Sequence, residues 1–172
     1  IGAGFCCKCT ALEQITILAP IKMINSYSFQ NCTSLKQIEI PSTVTEIKYN
    51  AFSYCTSLEK VTIPALVTAI GDSCFHDCSN LIEVIFSSSS SSMKTLGNSL
   101  FMNCILLEKV ELPDSVSSIP INTFRRCEHL KSFVIPSSVK KIDSYAFYEC
   151  SSLESAIIPS SVVDIGNNAF YG

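Results

Sequence analysis

Ten cysteines and two histidines are the residues of this 172-residue chain whose types could do chemistry. A thiol or hydroxyl activated by an imidazole is a nucleophile, and thiols and imidazoles at close spacing hold zinc. His76-Asp77-Cys78 lines up an imidazole, a carboxylate and a thiol, and Cys6-Cys7-Lys8-Cys9 has close thiol spacing. Neither constellation is completed. His76 and His129 occupy unrelated places and bring no nucleophile and acid together on one face, so both read as exposed turn residues. No second Cys/His pair follows Cys9 at zinc spacing. With six glycines there is no glycine-rich loop to cradle a phosphate. The reading is no catalytic residue, no cofactor and no metal; the chain is not an enzyme. Asn31-Cys32-Thr33 matches a glycosylation sequon, but as a by-product of the surrounding pattern.

The cysteine spacing itself shows what must position these residues. Cys9, Cys32, Cys55, Cys78, Cys104, Cys127 and Cys150 each precede a leucine by three residues, so they are one structural position repeated. Stacked strands would set such thiols about 5 Å apart. Parallel side chains point their sulfurs the same way, which disfavours a disulfide. These seven are expected to be buried, unpaired, small hydrophobes. Cys6 and Cys74 fill other core places, leaving Cys7 as the cysteine without a repeat role and the expected reactive or pairing thiol.

Phenylalanine keeps the same rhythm. Phe29, Phe52 and Phe75 recur every 23 residues, as do Phe101, Phe124, Phe147 and Phe170, with 26 between Phe75 and Phe101. Residues 51–70 show the unit: Ala51-Phe52, Cys55, Leu58, Val61, Ile63-Pro64, Val67 and Ile70. Val61 and Ile63 alternate with Thr62, the period of a strand that Pro64 ends. Val67 and Ile70 make a second apolar edge. The Ala-Phe segment is too short for a standing helix and reads as a single helical or 3₁₀ turn. One such coil cannot bury its apolar side; stacked coils can, with the phenylalanine rings in a column.

The first coil is degenerate: Phe5 takes the Ala place, Cys6 the Phe place and Leu18 the Pro place. In the fourth coil six serines, residues 87–92, replace the proline turn, and Met93 and Leu96 resume the pattern, a three-residue insertion. It reads as a solvated bulge, with a modified or binding loop as the other reading. Ile1 falls in mid-repeat, so residues 1–172 are taken as one array excised from a longer chain, whose open ends favour end-to-end self-association.

The repeated pattern, which covers nearly the whole chain, resembles the 23-residue leucine-rich repeats of the BspA-like, or Treponema-type, family. The Ala place departs at Ser28, Cys74, Leu100 and Thr123, and the Val place at Phe133 and Ala156. The resemblance implies a mainly β, curved solenoid of about seven coils, a protein ligand and a cell-surface or extracellular adhesive role. An intracellular scaffold of the same fold, in the cytoplasm, remains the alternative, and the unpaired cysteines suit it.

Surface is what remains for function. A net charge of -3 and a pI near 5.3 offer no basic field for nucleic acid. No apolar run approaches the roughly 18 residues of a membrane helix. The outward strand positions are Thr16, Glu39, Thr62, Ile85, Glu111, Val134 and Ile157. Ile85, Val134 and Ile157 are apolar on an otherwise polar face, which suggests contact with a partner; the other reading is that β-branched residues simply favour strands. The expected centre is Val134 with Ile157, flanked by Ser132 and Ser155 and rimmed by Lys131 and Glu154, with Ile85 outlying.

Overall fold

The apolar residues of each coil fall into two short sets, and each set makes one short strand. The computed structural model describes residues 1–87 and 93–172; most of the serine-rich turn, residues 88–92, lies outside them. Along the chain the strands are β1 (Gln14–Ile15), β2 (Met23–Ile24), β3 (Gln37–Ile38), β4 (Glu46–Ile47), β5 (Lys60–Ile63), β6 (Ala69–Ile70) and β7 (Glu83–Phe86). They continue as β8 (Thr95–Leu96), β9 (Lys109–Val110), β10 (Ser118–Ile119), β11 (Ser132–Val134), β12 (Lys141–Ile142), β13 (Ser155–Ile157) and β14 (Asp164–Ile165). The odd strands form the main sheet and the even strands the second sheet. Each pairs in parallel with its equivalent one coil away, as in Gln37 with Lys60 and Ile47 with Ile70. Glu83 pairs with Lys109 across the longer fourth coil, so the insertion is absorbed in its turn without a slip of register. In β5, Val61 and Ile63 are buried while Lys60 and Thr62 face out, as the alternation requires.

The Ala-Phe segments are turns; no helix forms among the described residues. In the third coil the N–H groups of Ser53, Cys55 and Leu58 donate to the C=O groups of Asn50, Phe52 and Cys55, the closure of a 3₁₀ turn. Two left-handed residues per coil keep these turns from fusing into a helix. Around Phe52 they are Asn50 (φ 54°) and Tyr54 (φ 61°). The alternation aims the amides of Asn50, Phe52 and Tyr54 at the next coil, where they bond Asp72, Cys74 and His76 C=O at 2.9, 2.9 and 2.8 Å. Such a triplet joins every successive pair of turns, from Gly4, Cys6 and Lys8 to Tyr145, Phe147 and Glu149. Here the earlier coil donates to the later, whereas in the strands the later donates to the earlier, as Glu59 N–H to Lys36 C=O. This third ladder belongs to no sheet.

Inside it runs the ring column. Phe29, Phe52, Phe75, Phe101, Phe124, Phe147 and Phe170 stack with centroids 5.0 to 5.7 Å apart and planes within 19° of parallel. The first six are essentially free of solvent, and burying each ring stabilises the coil by about 1.5–3 kcal/mol. Beside it stands the thiol column. The Sγ atoms of Cys32, Cys55, Cys78, Cys104, Cys127 and Cys150 lie 3.1 to 3.3 Å from the C=O of the residue at the Phe place one coil back. Phe52 C=O thus accepts both Cys55 N–H and Cys78 S–H, using two lone pairs. All ten cysteines are free and these six are buried. Cys9, in the first coil, is a correction: it is exposed. His76 is a second. It is half-buried, its ring edge-on to Tyr54 and its Nδ1 2.9 Å from Asp77, while His129 is exposed as expected.

Candidate binding face

The outward side of the main sheet changes character along the array. In its first half charges cancel in pairs: Lys36 meets Glu13 at 3.0 Å and Lys60 meets Glu83 at 2.6 Å. The hydrogen bond from Lys60 holds the Glu83 carboxyl below its ordinary pKa against partial desolvation, and Lys109 adds to the pull. In its second half, Val134 and Ile157 are direct partners across β11 and β13, each 73% exposed. Ser132 and Ser155 pair beside them and, being short, leave them uncovered. Lys131 and Glu154 are exposed neighbours, joined through Glu154 N–H to Lys131 C=O at 2.9 Å.

Ile85 does not extend this strip. It pairs with Thr62 inside the five-stranded part of the sheet, where flanking strands leave it half-buried. In the outward row Glu111 stands between Ile85 and Val134. The fully exposed apolar strip is therefore two residues long.

The sheet is also not continuous, which the repeat pattern did not announce. β1, β3, β5, β7 and β9 form one sheet and β11 and β13 another. Glu154 N–H bonds Lys131 C=O and Glu108 N–H bonds Ile82 C=O, but no backbone bond joins Lys131 N–H to Glu108 C=O. Phe133 stands at a Val place on this junction, and its ring packs against Phe124 and Phe147 with centroids 4.9 and 5.1 Å away. The second sheet divides one junction earlier, between β8 and β10. There Pro120 stands where Lys48, Gly71, Asp143 and Gly166 donate an N–H to the preceding coil, and proline has none. Coil 5 is thus bonded backward through β9 and forward through β10. Phe133 and Pro120 were both visible in the sequence, as a bulky residue in a Val column and a missing donor.

Two open clefts lie on the main-sheet face. One, of about 620 Å³, includes Gln14, Gln37 and Lys60. The larger, about 970 Å³, sits over coils 4 to 6 and includes Phe86, Glu108, Glu111, Asp114 and Val134. Among the described residues no group of three or more His, Cys, Asp or Glu side chains is placed to hold a metal, and no helix is long and apolar enough to cross a membrane.

Comparison with known proteins matches the chain to the model of the BspA type leucine rich repeat region, in six copies over residues 1–95 and 94–172. A leucine-rich repeat protein from Bacteroides ovatus superposes with a TM-score of 0.87 at 30% identity, over 96% of this chain and 42% of its own. The Treponema pallidum leucine rich repeat protein gives 0.82 at 29%, over 90% and 73%. A leucine rich cell surface protein from Faecalibacterium prausnitzii gives 0.50 at 26%, over 98% and 59%. The chain spans less than half the length of the Bacteroides ovatus protein. No curated protein matches it.

Proposed function

Because this chain belongs to the BspA-type leucine-rich repeat family, we propose that it is an adhesive module that holds a protein ligand on its main sheet at a cell surface. The repeat fold is a protein-interaction scaffold and is generally non-enzymatic. The surface location draws its support from the Faecalibacterium prausnitzii relative, which is described as a cell surface protein. One observation carries the position of the contact: Val134 and Ile157, side by side on adjacent strands, are 73% exposed on a face whose other outward positions are mostly polar. A paired apolar strip without long neighbours costs solvation until something covers it. Lys131 and Glu154 at its edge supply a charged rim.

The test is binding of the folded protein, and of V134D/I157D, to immobilised extracellular-matrix proteins and to intact epithelial cells. A central contact loses at least about tenfold in affinity when both apolar residues become Asp. Unaltered binding by the folded double variant refutes the site.

Ten unpaired thiols favour the second reading, an intracellular scaffold of the same fold. Protease treatment of intact source cells separates the two, since only a surface module is shaved from the cell.

A further inference from the structure

In the turns from Phe29 to Cys150 the Phe place holds a ring and the place three residues on holds a thiol, both buried. The first turn keeps the shape and exchanges the ring for sulfur: Cys6 stands at the Phe place and Cys9 three residues on. Cys9 N–H donates to Cys6 C=O at 3.0 Å, the same closure as Cys55 N–H to Phe52 C=O. Lys8 between them is left-handed (φ 63°), as Tyr54 is in its turn. A turn closed in this way holds its first and last Cα atoms within about 7 Å, and a disulfide spans about 4.4–6.8 Å between Cα atoms. The Cys6 thiol registers its neighbour: burial first, then the charge and hydrogen bonding of Cys9, hold it above its ordinary pKa.

Exposure separates this pair from the other thiols. Cys74 and Cys78 are also close in sequence, but both are buried, and burial holds both thiols protonated and away from reagents. Cys9 is exposed and Cys6 half-buried, so one sulfur can meet a soluble reagent while the other stands behind it. Cys7, the thiol expected to react, is half-buried with its Sγ 3.8 Å from Gln30 Oε1 of the next coil.

We propose that Cys6 and Cys9 form a redox site that takes a small soluble disulfide, of the glutathione disulfide class, and closes to a disulfide within the turn. The Cys9 thiolate attacks one glutathione sulfur, breaks that S–S bond and expels one glutathione as thiolate. Cys6 then loses its proton to solvent, attacks the Cys9 sulfur of the mixed disulfide and expels the second glutathione. Two protein thiols give up two electrons and two protons, and one glutathione disulfide becomes two glutathione thiols. The inference is independent of where a protein ligand binds.

The probe is glutathione disulfide added to the reduced native protein at about pH 8, followed by alkylation of free thiols and trypsin digestion without reduction. Trypsin cuts after Lys8 and Lys22, so residues 1–8 and 9–22 separate unless a disulfide joins them. Mass spectrometry should find the two joined in the unsubstituted protein and equally in C7A. C6A, which keeps an apolar side chain against the core, should lower the joined yield at least about tenfold and leave glutathione on Cys9. The buried column thiols, Cys32 to Cys150, should be recovered alkylated only after denaturation. Absence of the joined fragment from the unsubstituted protein overturns the proposal. So does a joined fragment that survives C6A undiminished, since Cys7 would then be the partner.

Discussion

The turn side of the solenoid and its two sheets are written by the same repeat, yet they differ in continuity. The turn ladder carries its three bonds across every junction, including Ser99 to Ile121, Phe101 to Thr123 and Asn103 to Arg125 where the main sheet opens. Both sheets are interrupted beside coil 5. The difference lies in what each ladder asks of its side chains. The turn ladder needs left-handed backbone at two places per coil, and Tyr27, Ser73, Asn122, Arg126 and Glu149 all adopt it. Such a residue costs roughly 1–2 kcal/mol of intrinsic preference, which the bonds and the buried phenylalanine offset. The sheets part where Phe133 fills a Val place and beside Pro120, which has no N–H to give. The lesson is a division of labour: the turn side with its ring and thiol columns holds the coils together, and the strand side is free to vary and to recognise.

If that division is right, attacks on the turn side cost most. The largest effect should come from alkali. Burial raises the column thiols above their ordinary value of 9.0, Cys32 to about 11 and Cys150 to about 12, with Cys55 and Cys104 further still. The unfolded chain gives up these protons above about pH 9 and the folded chain keeps them. Stability is therefore complete below pH 9 and falls as pH rises toward 11 and 12, by up to about 1.4 kcal/mol per pH unit for each thiol. Denaturant titrations from pH 7 to 10.5 should show a steep loss; a flat profile would remove the thiol column from the stabilising side. Next in size is F101A, which opens the ring stack at coil 5 and should cost about 3–5 kcal/mol in chemical denaturation.

The period, the two columns and the inward strand residues were legible because burial acts on residue type and recurs at fixed spacing. Val134 beside Ile157 followed from the same register. Less could be read where backbone decides. The left-handed places carry Asn at Asn31, Asn50, Asn103, Asn122 and Asn168, but Lys, Tyr, Ser, Asp, Arg or Glu at the others, so Asn alone does not mark them. The opening at coil 5 was hidden because Phe133 reads as one more apolar residue. Ile85 was read as exposed because alternation gives direction, not the cover that flanking strands provide. The thiols were read as small hydrophobes, and their donation to Phe carbonyls needed coordinates.

Smaller changes sharpen the contrast. C78A removes a buried sulfur and its bond to Phe52 C=O, and should cost about 1–2 kcal/mol by thermal denaturation. On the strand side V134D/I157D should leave stability within about 0.5 kcal/mol per residue, because both side chains already face water. A loss as large as that of F101A would show that the strip is structural, not a recognition surface.

Residue-resolved hydrogen exchange of the native protein compares the two sides in one measurement. Phe101, Asn103, Phe124 and Arg126 N–H, all bonded in the turn ladder, should be protected through the coils where the sheets part. Glu108 and Glu154 N–H, bonded in the main sheet, should be protected as well, and Lys131 N–H should exchange fast. Protection of Lys131 equal to that of Glu108 and Glu154 would mean that the main sheet is closed at coil 5, and would contradict the division between the two sides.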